Sequence, residues 1–260
     1  MTHNDITKDN WNANLYDGKH SFVSMFGSDL IDILAPQKGE KIIDLGCGTG
    51  DLAKKLFDLG VNVIGVDKSE NMISSAKSKY PSIYFEAKDA IKLEYNCEFD
   101  AVFSNATLHW IKPPNLALQN IYNGLKHGGR FVAEFGGKGN VQKITSEILN
   151  QRKEAGYEFD IENFPWYYPS IGEYTSLMEE AGFRVTFAQH FDRPTPLTGY
   201  NGLRNWIEMF GSSLLDDLSE ITKNHIIANA ELNLKGTSFN QQNNSWTADY
   251  KRIRVIGIKE

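Results

Sequence analysis

The segment of residues 42–50, IIDLGCGTG, places a short apolar run directly before three glycines spaced two residues apart. The apolar run is typical of a fully buried parallel strand. After the glycines, Leu52, Leu56 and Leu59 recur at helical spacing, and Gly60 predicts the end of that helix. Glycines allow positive φ and a close ligand approach. A strand, a tight turn and a helix in this order therefore predict the start of a nucleotide-binding α/β fold.

The spacing of the glycines separates this loop from two phosphate-binding loops. The dinucleotide fingerprint is G-x-G-x-x-G and the Walker loop ends in G-K-S/T, whereas Gly46, Gly48 and Gly50 follow G-x-G-x-G. Asp44 stands just before the turn, where a carboxylate repels a pyrophosphate but attracts an ammonium group. The loop therefore favours a ligand with a nucleoside and a cationic amino-acid tail. A glycine-rich turn without a ligand is the structural alternative.

A second acidic residue, Asp67, follows the loop at a sequence separation that nucleotide-binding folds also show. Residues 61–67 predict the second strand, which ends in Asp67. This carboxylate follows Gly46 at close to the interval of about 20 residues that nucleotide-binding folds use for ribose contacts. Its two acceptor oxygens match two vicinal hydroxyls. A strand-ending Asp alone is typical of a helix cap or turn, so the ribose prediction depends on its combination with the glycine loop.

The motif D-L-G-C-G-x-G, residues 44–50, resembles the first motif of the class I S-adenosylmethionine (SAM)-dependent methyltransferases. The resemblance covers residues 40–137 strongly and the rest weakly. It implies a Rossmann-like, doubly wound α/β sheet of seven strands with the last strand antiparallel, and S-adenosylhomocysteine (SAH) as product. The residues expected to bind the cofactor lie in the N-terminal segment, the glycine loop and the strand ends: Tyr16, Asp44, Gly46, Cys47, Gly48, Asp67, Lys68, Met72, Asp89, Ala90 and Asn105.

Some of these residues have a role that the resemblance implies. Met72 packs on the adenine, and Asp89 with Ala90 lies near the adenine amino group, where a carboxylate accepts an N–H. Tyr16 belongs to a helical segment that closes over the cofactor as a lid, with a purely structural role as the alternative. Cys47 is expected to be a small loop residue and not a nucleophile, because no base lies beside it in sequence.

The string S-N-A-x-L-x-W at residues 104–110 resembles the trans-aconitate methyltransferase group and the related malonyl-thioester carboxyl methyltransferases. It follows the fourth strand, whose end lies beside the first in a doubly wound sheet, so Asn105 is expected near the SAM tail. His109 is the candidate catalytic residue, as a donor that orients a carboxylate or as a general base, and a histidine without chemical role is the alternative. The predicted acceptor pocket consists of His109, Trp110, Trp166 and Tyr167.

The length of 260 residues is compatible with one methyltransferase domain. Arg204, Arg252 and Arg254 are candidate carboxylate anchors because guanidinium pairs bidentately with carboxylates, although surface positions are more ordinary for arginine. The predicted parts are a helical lid at residues 1–35, a SAM-binding core at 36–137, an insertion at 138–182, and C-terminal strands at 183–260 with a helical cap at 200–235.

Composition and net charge limit the classes of partner and ligand that we expect. The net charge of −6 without a basic stripe argues against a nucleic-acid partner. Two cysteines and scattered histidines predict neither a disulfide framework nor a metal site. The N-terminus is polar and no apolar run is long enough to span a membrane, so we expect a cytoplasmic monomer or homodimer.

The predicted function is SAM-dependent methyl transfer to a small-molecule acceptor (EC 2.1.1.-), with carboxyl O-methylation suggested by the resemblance at residues 104–110. Two alternatives are a non-catalytic SAM- or SAH-binding module and an NAD-dependent oxidoreductase. The glycine spacing argues against the oxidoreductase. The sequence leaves open O-, N- and C-methylation.

Overall fold

The computed structural model describes residues 22–260, with side chains from residue 27 onward. The predicted lid residue Tyr16 lies outside the described residues. The helices are α1 (Phe22–Leu34), α2 (Asp51–Asp58), α3 (Glu70–Lys79), α4 (Pro114–Gly124), α5 (Gln142–Glu154), α6 (Ile171–Glu180), α7 (Gly202–Phe210) and α8 (Glu220–Ser238). The strands are β1 (Lys41–Leu45), β2 (Asn62–Asp67), β3 (Tyr84–Ala87), β4 (Phe99–Asn105), β5 (Leu125–Gly136), β6 (Phe183–Leu197), β7 (Phe239–Asn240) and β8 (Ser245–Lys259).

Within residues 22–260 the strands form one sheet in the order β3-β2-β1-β4-β5-β8-β6, and the two-residue strand β7 pairs with β8. Strands β1 to β5 are parallel to one another. Strand β8 is antiparallel to both β5 and β6. The Rossmann-like sheet with an antiparallel last strand is confirmed, and β7 is one short strand more than the seven predicted.

The C-terminal strands are longer than their sequence pattern indicates. The alternation predicts β6 over residues 183–187 and the last strand over 250–258. The two strands instead pair from Phe183 opposite Lys259 to Leu197 opposite Trp246. The second half of β6 contains prolines, which a strand tolerates at a sheet edge, where β6 lies. Pairing with β8 thus extends a segment that the local sequence alone does not mark as a strand.

Helix α1 packs on the sheet instead of standing apart from it. Leu30 and Leu34 are fully buried in the cluster that also contains Leu52 and Leu56 of α2 and Ile42 of β1. Each such buried leucine contributes roughly 1.5–3 kcal/mol relative to an exposed one. The helix contacts β4 and β5, so it covers the middle of one sheet face and not an edge.

A separate apolar cluster, here called the cap core, joins α5, α7 and α8 to the first half of β8. At its centre the Trp206 indole Nε1 donates to the Tyr250 hydroxyl at 2.6 Å. Buried Arg152 of α5 holds the connection between α7 and α8, because its Nη1 donates to Leu214 O and to Asp217, each at 2.7 Å. The cap core therefore places α7 above the carboxyl ends of the parallel strands.

None of the helices within residues 22–260 combines the length and the apolar character that a membrane crossing requires. In the same residues, no group of three or more His, Cys, Asp or Glu side chains is arranged to hold a metal ion.

Candidate functional site

A cleft of about 730 Å³ lies between the carboxyl ends of the parallel strands and the cap. Most of the residues predicted to bind a cofactor line one end of it. These are Gly46, Gly48, Asp67, Lys68, Met72, Asp89, Ala90 and Asn105. The other end is lined by aromatic and polar side chains: His109, Trp110, Trp166, Tyr168, Trp206, Tyr250, Asn140 and Arg252. The cap also contributes Glu208, Ser212, Ser213 and Asp216 to the lining. One continuous cleft therefore joins the two sets.

The glycine loop is held tightly against its neighbours. Gly46 and Cys47 both donate their backbone N–H to Val66 O of β2, at 2.7 and 3.0 Å. Gly46 has a φ of +77°, and a Cβ there would lie 2.0 Å from Thr107 Oγ1. Both the left-handed backbone and the close approach of Thr107 require glycine at this position.

The Asp67 carboxylate joins the end of β2 to the glycine loop. Its Oδ2 accepts the Gly48 N–H at 3.0 Å and its Oδ1 accepts the Ser69 N–H at 2.9 Å. Beyond β3, Asp89 accepts the Ile91 N–H at 3.2 Å and pairs with Lys68 at 3.2 Å. Because Asp67 and Asp89 both line the cleft, this end presents fixed carboxylates.

Asp44 in β1 and Cys47 in the loop do not line the cleft. Asp44 is 1% exposed, and its Oδ2 has no hydrogen-bond partner. Burial, and secondarily the nearby Asp67 charge, raise the pKa of Asp44 to about 7. Burial also raises the pKa of the Cys47 thiol, which disfavours the reactive thiolate. Asp44 can therefore act on a ligand only indirectly, and Cys47 fills space next to Gly65.

His109 is buried at the boundary between the two ends of the cleft. Its Nδ1 accepts the backbone N–H of Gly136 at 3.3 Å, which assigns the proton of the neutral ring to Nε2. Burial, assisted by the Arg252 charge, lowers the pKa of His109 well below its ordinary value of 6.5. The imidazole is therefore neutral near pH 7 and offers a donor at Nε2, while its lone pair at Nδ1 is used by the backbone.

Aromatic rings in stacked and edge-to-face contact form the wall opposite the cofactor end. The centroids of Trp110 and Trp166 are 5.4 Å apart, those of Trp166 and Tyr168 are 5.7 Å apart, and Tyr168 lies 5.7 Å from the His109 ring. Such rings exclude water and bind flat or apolar ligand surfaces.

The prediction of Tyr167 as a pocket wall is corrected by the structure. The Tyr167 hydroxyl donates to Glu173 at 2.8 Å, and the ring packs toward the sheet core instead of the cleft. Side chains alternate in an extended segment, so Trp166 and Tyr168 face one side and Tyr167 the other. Tyr168 is thus the missed wall residue, and the alternation with Trp166 was the signal for it.

The three candidate anchor arginines have different surroundings. Arg204 pairs with Glu231 at 2.9 Å within the cap, and Arg254 donates to Glu134 at 2.6 Å. Arg252, in contrast, is 6% exposed and lines the cleft. The sequence offers no signal for its burial, because the burial depends on the pairing of β8 with β5.

Residues 36–182 match the family model described as a methyltransferase domain. An uncharacterized methyltransferase of Schizosaccharomyces pombe is 31% identical over 266 residues, which cover 98% of this chain and 100% of the yeast protein. The chain belongs to the methyltransferase domain family. Other relatives match this methyltransferase over about half of their own length.

Solved structures share the fold of this methyltransferase. The YcgJ protein from Bacillus subtilis has a TM-score of 0.62 at 18% identity and covers 93% of this chain and 99% of its own. Haemonchus contortus phosphoethanolamine N-methyltransferase 2, in complex with phosphomonomethylethanolamine and SAH, has a TM-score of 0.59 at 18% identity. That match covers 95% of this chain and 56% of the nematode protein. At such identities the similarity concerns the fold.

Proposed function

We propose that this methyltransferase uses SAM and transfers the methyl group to a small-molecule acceptor bound at the aromatic end of the cleft. The observation that carries the proposal is the single cleft, in which the fixed carboxylates of one end and the aromatic wall of the other end meet at His109. Membership of the methyltransferase domain family supports it. The SAH in the nematode structural neighbour supports the choice of cofactor.

The residues at the cofactor end fit a nucleoside with a cationic tail. Gly46 and Gly48 line this end with backbone, and Asp67 and Asp89 supply acceptors for hydroxyl and amino groups. Asp44 adds a buried carboxyl near the loop, with one oxygen, Oδ2, that has no hydrogen-bond partner. In this proposal Asp67 holds the ribose, Met72 and Asp89 hold the adenine, and Asn105 lies at the amino-acid tail. The bound cofactor supplies an electrophilic methyl group on a sulfonium.

The acceptor end orients a nucleophile and keeps water away. His109 serves as a donor through Nε2–H and not as a general base, because Nδ1 accepts the Gly136 N–H and the pKa of the ring is lowered. Without a base at His109, an oxygen acceptor is expected to arrive already deprotonated. A carboxylate meets this condition at neutral pH, so carboxyl O-methylation is the specific reaction that we propose. The similarity to the trans-aconitate group stays a prediction.

Isothermal titration with SAH tests the cofactor assignment. Asp67→Ala is expected to weaken SAH binding about 100-fold, because a charged acceptor of two hydrogen bonds is lost. The matched control is Asp58→Ala on the exposed surface of α2, where the carboxylate pairs only with Lys54, and SAH affinity is expected to stay within twofold.

Asp67 also holds the glycine loop, so a second ligand separates the two roles. The 2′-deoxy analogue of SAH is expected to bind wild type more weakly, and to lose less affinity than SAH when Asp67 is replaced. Equal losses for both ligands would contradict the ribose contact. Preferential binding of NAD would restore the oxidoreductase alternative. SAH binding without methylation of any acid, phenol or amine in a broad panel would favour the non-catalytic module.

A further inference from the structure

Arg252 is a buried cation whose guanidinium faces the cleft. The residue is 6% exposed, it lines the cleft, and its Nε is buried without a hydrogen-bond partner. Among residues 22–260 the Arg252 side chain forms no hydrogen bond or ion pair, and its guanidinium lies 4.6 Å from the centre of the Tyr250 ring. Arginine retains its proton even when buried, so a full positive charge stands here.

The nearest acid on the neighbouring strand, Glu134, is already hydrogen-bonded to other arginines. Glu134, opposite Arg254 in the pairing of β5 with β8, accepts hydrogen bonds from Arg254 at 2.6 and 2.9 Å. Its carboxylate also accepts two hydrogen bonds from Arg193, one of them at 3.0 Å. One carboxylate therefore faces two other guanidiniums, which leaves the Arg252 charge without a hydrogen-bonded counter-ion.

Further donors lie around Arg252. Asn140 is fixed because its Oδ1 accepts the Lys251 N–H at 2.9 Å, which places its Nδ2 next to the Tyr168 hydroxyl. Gly136, opposite Arg252 in the sheet, makes room for both side chains: a Cβ there would lie 2.6 Å from Tyr168 Cε1 and 2.8 Å from Asn140 Nδ2. The same Gly136 donates to His109, whose Nε2–H is the remaining donor.

We propose that Arg252, Asn140 and Tyr168, with His109 beside them, bind an oxyanion of the methyl acceptor, a carboxylate or a phosphate group. The inference rests on the proposed function and adds the substrate class. A buried charge is costly unless it is paired, and guanidinium matches planar or tetrahedral oxyanions bidentately. The carboxylates that line the cleft belong to Asp67 and Asp89 at the cofactor end and to Glu208 and Asp216 of the cap.

The position of Arg252 in the sheet separates it from the start of the glycine loop. Strand β8 is separated from β1 by β4 and β5. Neighbouring strands lie about 4.8 Å apart, so β8 is roughly 14 Å from the strand that carries the glycine loop. The backbone of β8 is therefore about 14 Å from a cofactor tail next to Gly46, but only about 10 Å from one next to Asn105 of β4, so the SAH titration of the Arg252 variant is needed to separate the two roles.

Titration of the SAH-loaded protein with small oxyanions tests the inference. The probes are malonate, succinate and inorganic phosphate, with malonamide as the neutral counterpart of malonate. Wild type is expected to bind at least one oxyanion and not malonamide. Arg252→Gln is expected to weaken that binding about tenfold or more while SAH affinity stays within twofold. The matched control is Arg204→Gln, which removes an arginine paired with Glu231 outside the cleft and is expected to change neither affinity.

Each outcome decides the inference. Equal oxyanion affinity in Arg252→Gln and wild type, or no oxyanion binding by wild type up to 50 mM (a ceiling of about 2 kcal/mol of affinity), overturns it. Loss of SAH affinity with unchanged oxyanion binding assigns Arg252 to the cofactor and also overturns it. If Arg252→Gln does not fold, Arg252→Lys replaces it, and wild-type affinity in that variant contradicts a bidentate anchor. Preference between malonate and phosphate identifies the type of oxyanion.

The SAH and oxyanion titrations of wild type also distinguish a failure of the Arg252 site from a failure of the proposed function. Wild type that binds oxyanions but not SAH contradicts the proposed cofactor and leaves the Arg252 anchor supported. Wild type that binds SAH but no oxyanion contradicts the anchor and leaves the cofactor assignment supported.

Discussion

At the cofactor end of the cleft, backbone turns and short polar side chains lie at or just after the ends of β1, β2, β3 and β4. At the acceptor end, the lining residues come from the segments after β4 and β5, from the extended segment before α6, from the cap and from β8, and most are far apart in sequence. The first arrangement is formed by each turn locally. The second exists only when the sheet and the cap core have assembled.

The two ends also differ in polarity. Asp67 and Asp89 line the cofactor end, with Asp44 buried nearby, whereas the acceptor end adds the buried cation Arg252 and the donor of His109 to the cap carboxylates Glu208 and Asp216. Burial raises the pKa of Asp44 and lowers the pKa of His109. Both shifts favour the neutral form, yet they have opposite effects on stability as the pH changes. The difference between the two ends can therefore be tested by glycine substitutions in the loop and by the pH dependence of stability at both ends.

Gly46→Ala is the strongest test of the locally formed end. The new Cβ would lie 2.0–2.5 Å from three side-chain atoms of Thr107, on a backbone with a φ of +77°. We expect a loss of about 3–5 kcal/mol in the free energy of unfolding, measured in urea, because strain and overpacking add. SAH binding, measured by calorimetry, is expected to disappear.

Gly39→Ala is the matched control, because it introduces the backbone strain of a positive φ without any overpacking. Gly39 has a φ of +88°, but a Cβ there would meet nothing within 4 Å. The expected loss is about 1–2 kcal/mol, the cost of a left-handed backbone, with SAH affinity unchanged. If the two variants lost the same stability, the close approach of Thr107 to the loop would be disproved.

The sequence predicts the cofactor end well because its signals are local. The apolar run before Gly46 specifies β1, and Asp67 and Asn105 end strands whose predicted ends match β2 and β4. Their contacts with a ligand remain predictions. Asp44 shows the limit: its position in sequence is the last but one of β1, but only the packed sheet reveals that it is buried and does not line the cleft.

The acceptor end depends on strand pairing that the local sequence pattern does not predict. Arg252 is buried because β8 inserts between β5 and β6, which sets Arg252 opposite Gly136. A surface position was the more ordinary expectation for it. The choice between Tyr167 and Tyr168 depends on which face of an extended segment meets the cleft, and packing against Trp166 and His109 decides that face.

Asp44→Asn tests the electrostatics of the cofactor end. The pKa of Asp44 is about 7 in the folded protein and 3.8 ordinarily, so the folded state keeps a proton that the unfolded chain releases. The contribution of Asp44 to stability is therefore fully present below about pH 4 and is lost as the pH rises to about 7. Asn is uncharged and avoids this loss, so at pH 8 the variant is expected to exceed wild type by up to about 4 kcal/mol.

Urea unfolding at several pH values from 4 to 8 measures this difference. The stability of Asp44→Asn minus that of wild type is expected to increase across that range and to level off above pH 7. A difference that does not change with pH would mean that the carboxylate is ionised and compensated in the folded protein without a ligand, against its orphaned Oδ2.

His109→Asn tests the acceptor end, with a smaller effect of opposite sign. The folded-state pKa of His109 is lowered, so the unfolded chain takes up a proton first as the pH falls below 6.5. The stability from the neutral ring is present above pH 6.5 and is lost toward acid. Asn is chosen because its Oδ1 can replace Nδ1 as acceptor of the Gly136 N–H.

The relative stability of His109→Asn is therefore expected to rise as the pH falls from 7.5 to 5.5, by at most about 1.4 kcal/mol at pH 5.5, the cost of one unmatched proton. Nitrogen chemical shifts of the wild-type ring provide a second measurement, and they are expected to show a proton on Nε2 and none on Nδ1 throughout this range. A ring that titrates near pH 6.5, or a proton on Nδ1, would return His109 to the role of general base. It would also remove the opposite pH response of the two ends, because the acceptor end would then no longer disfavour the charged form of its histidine.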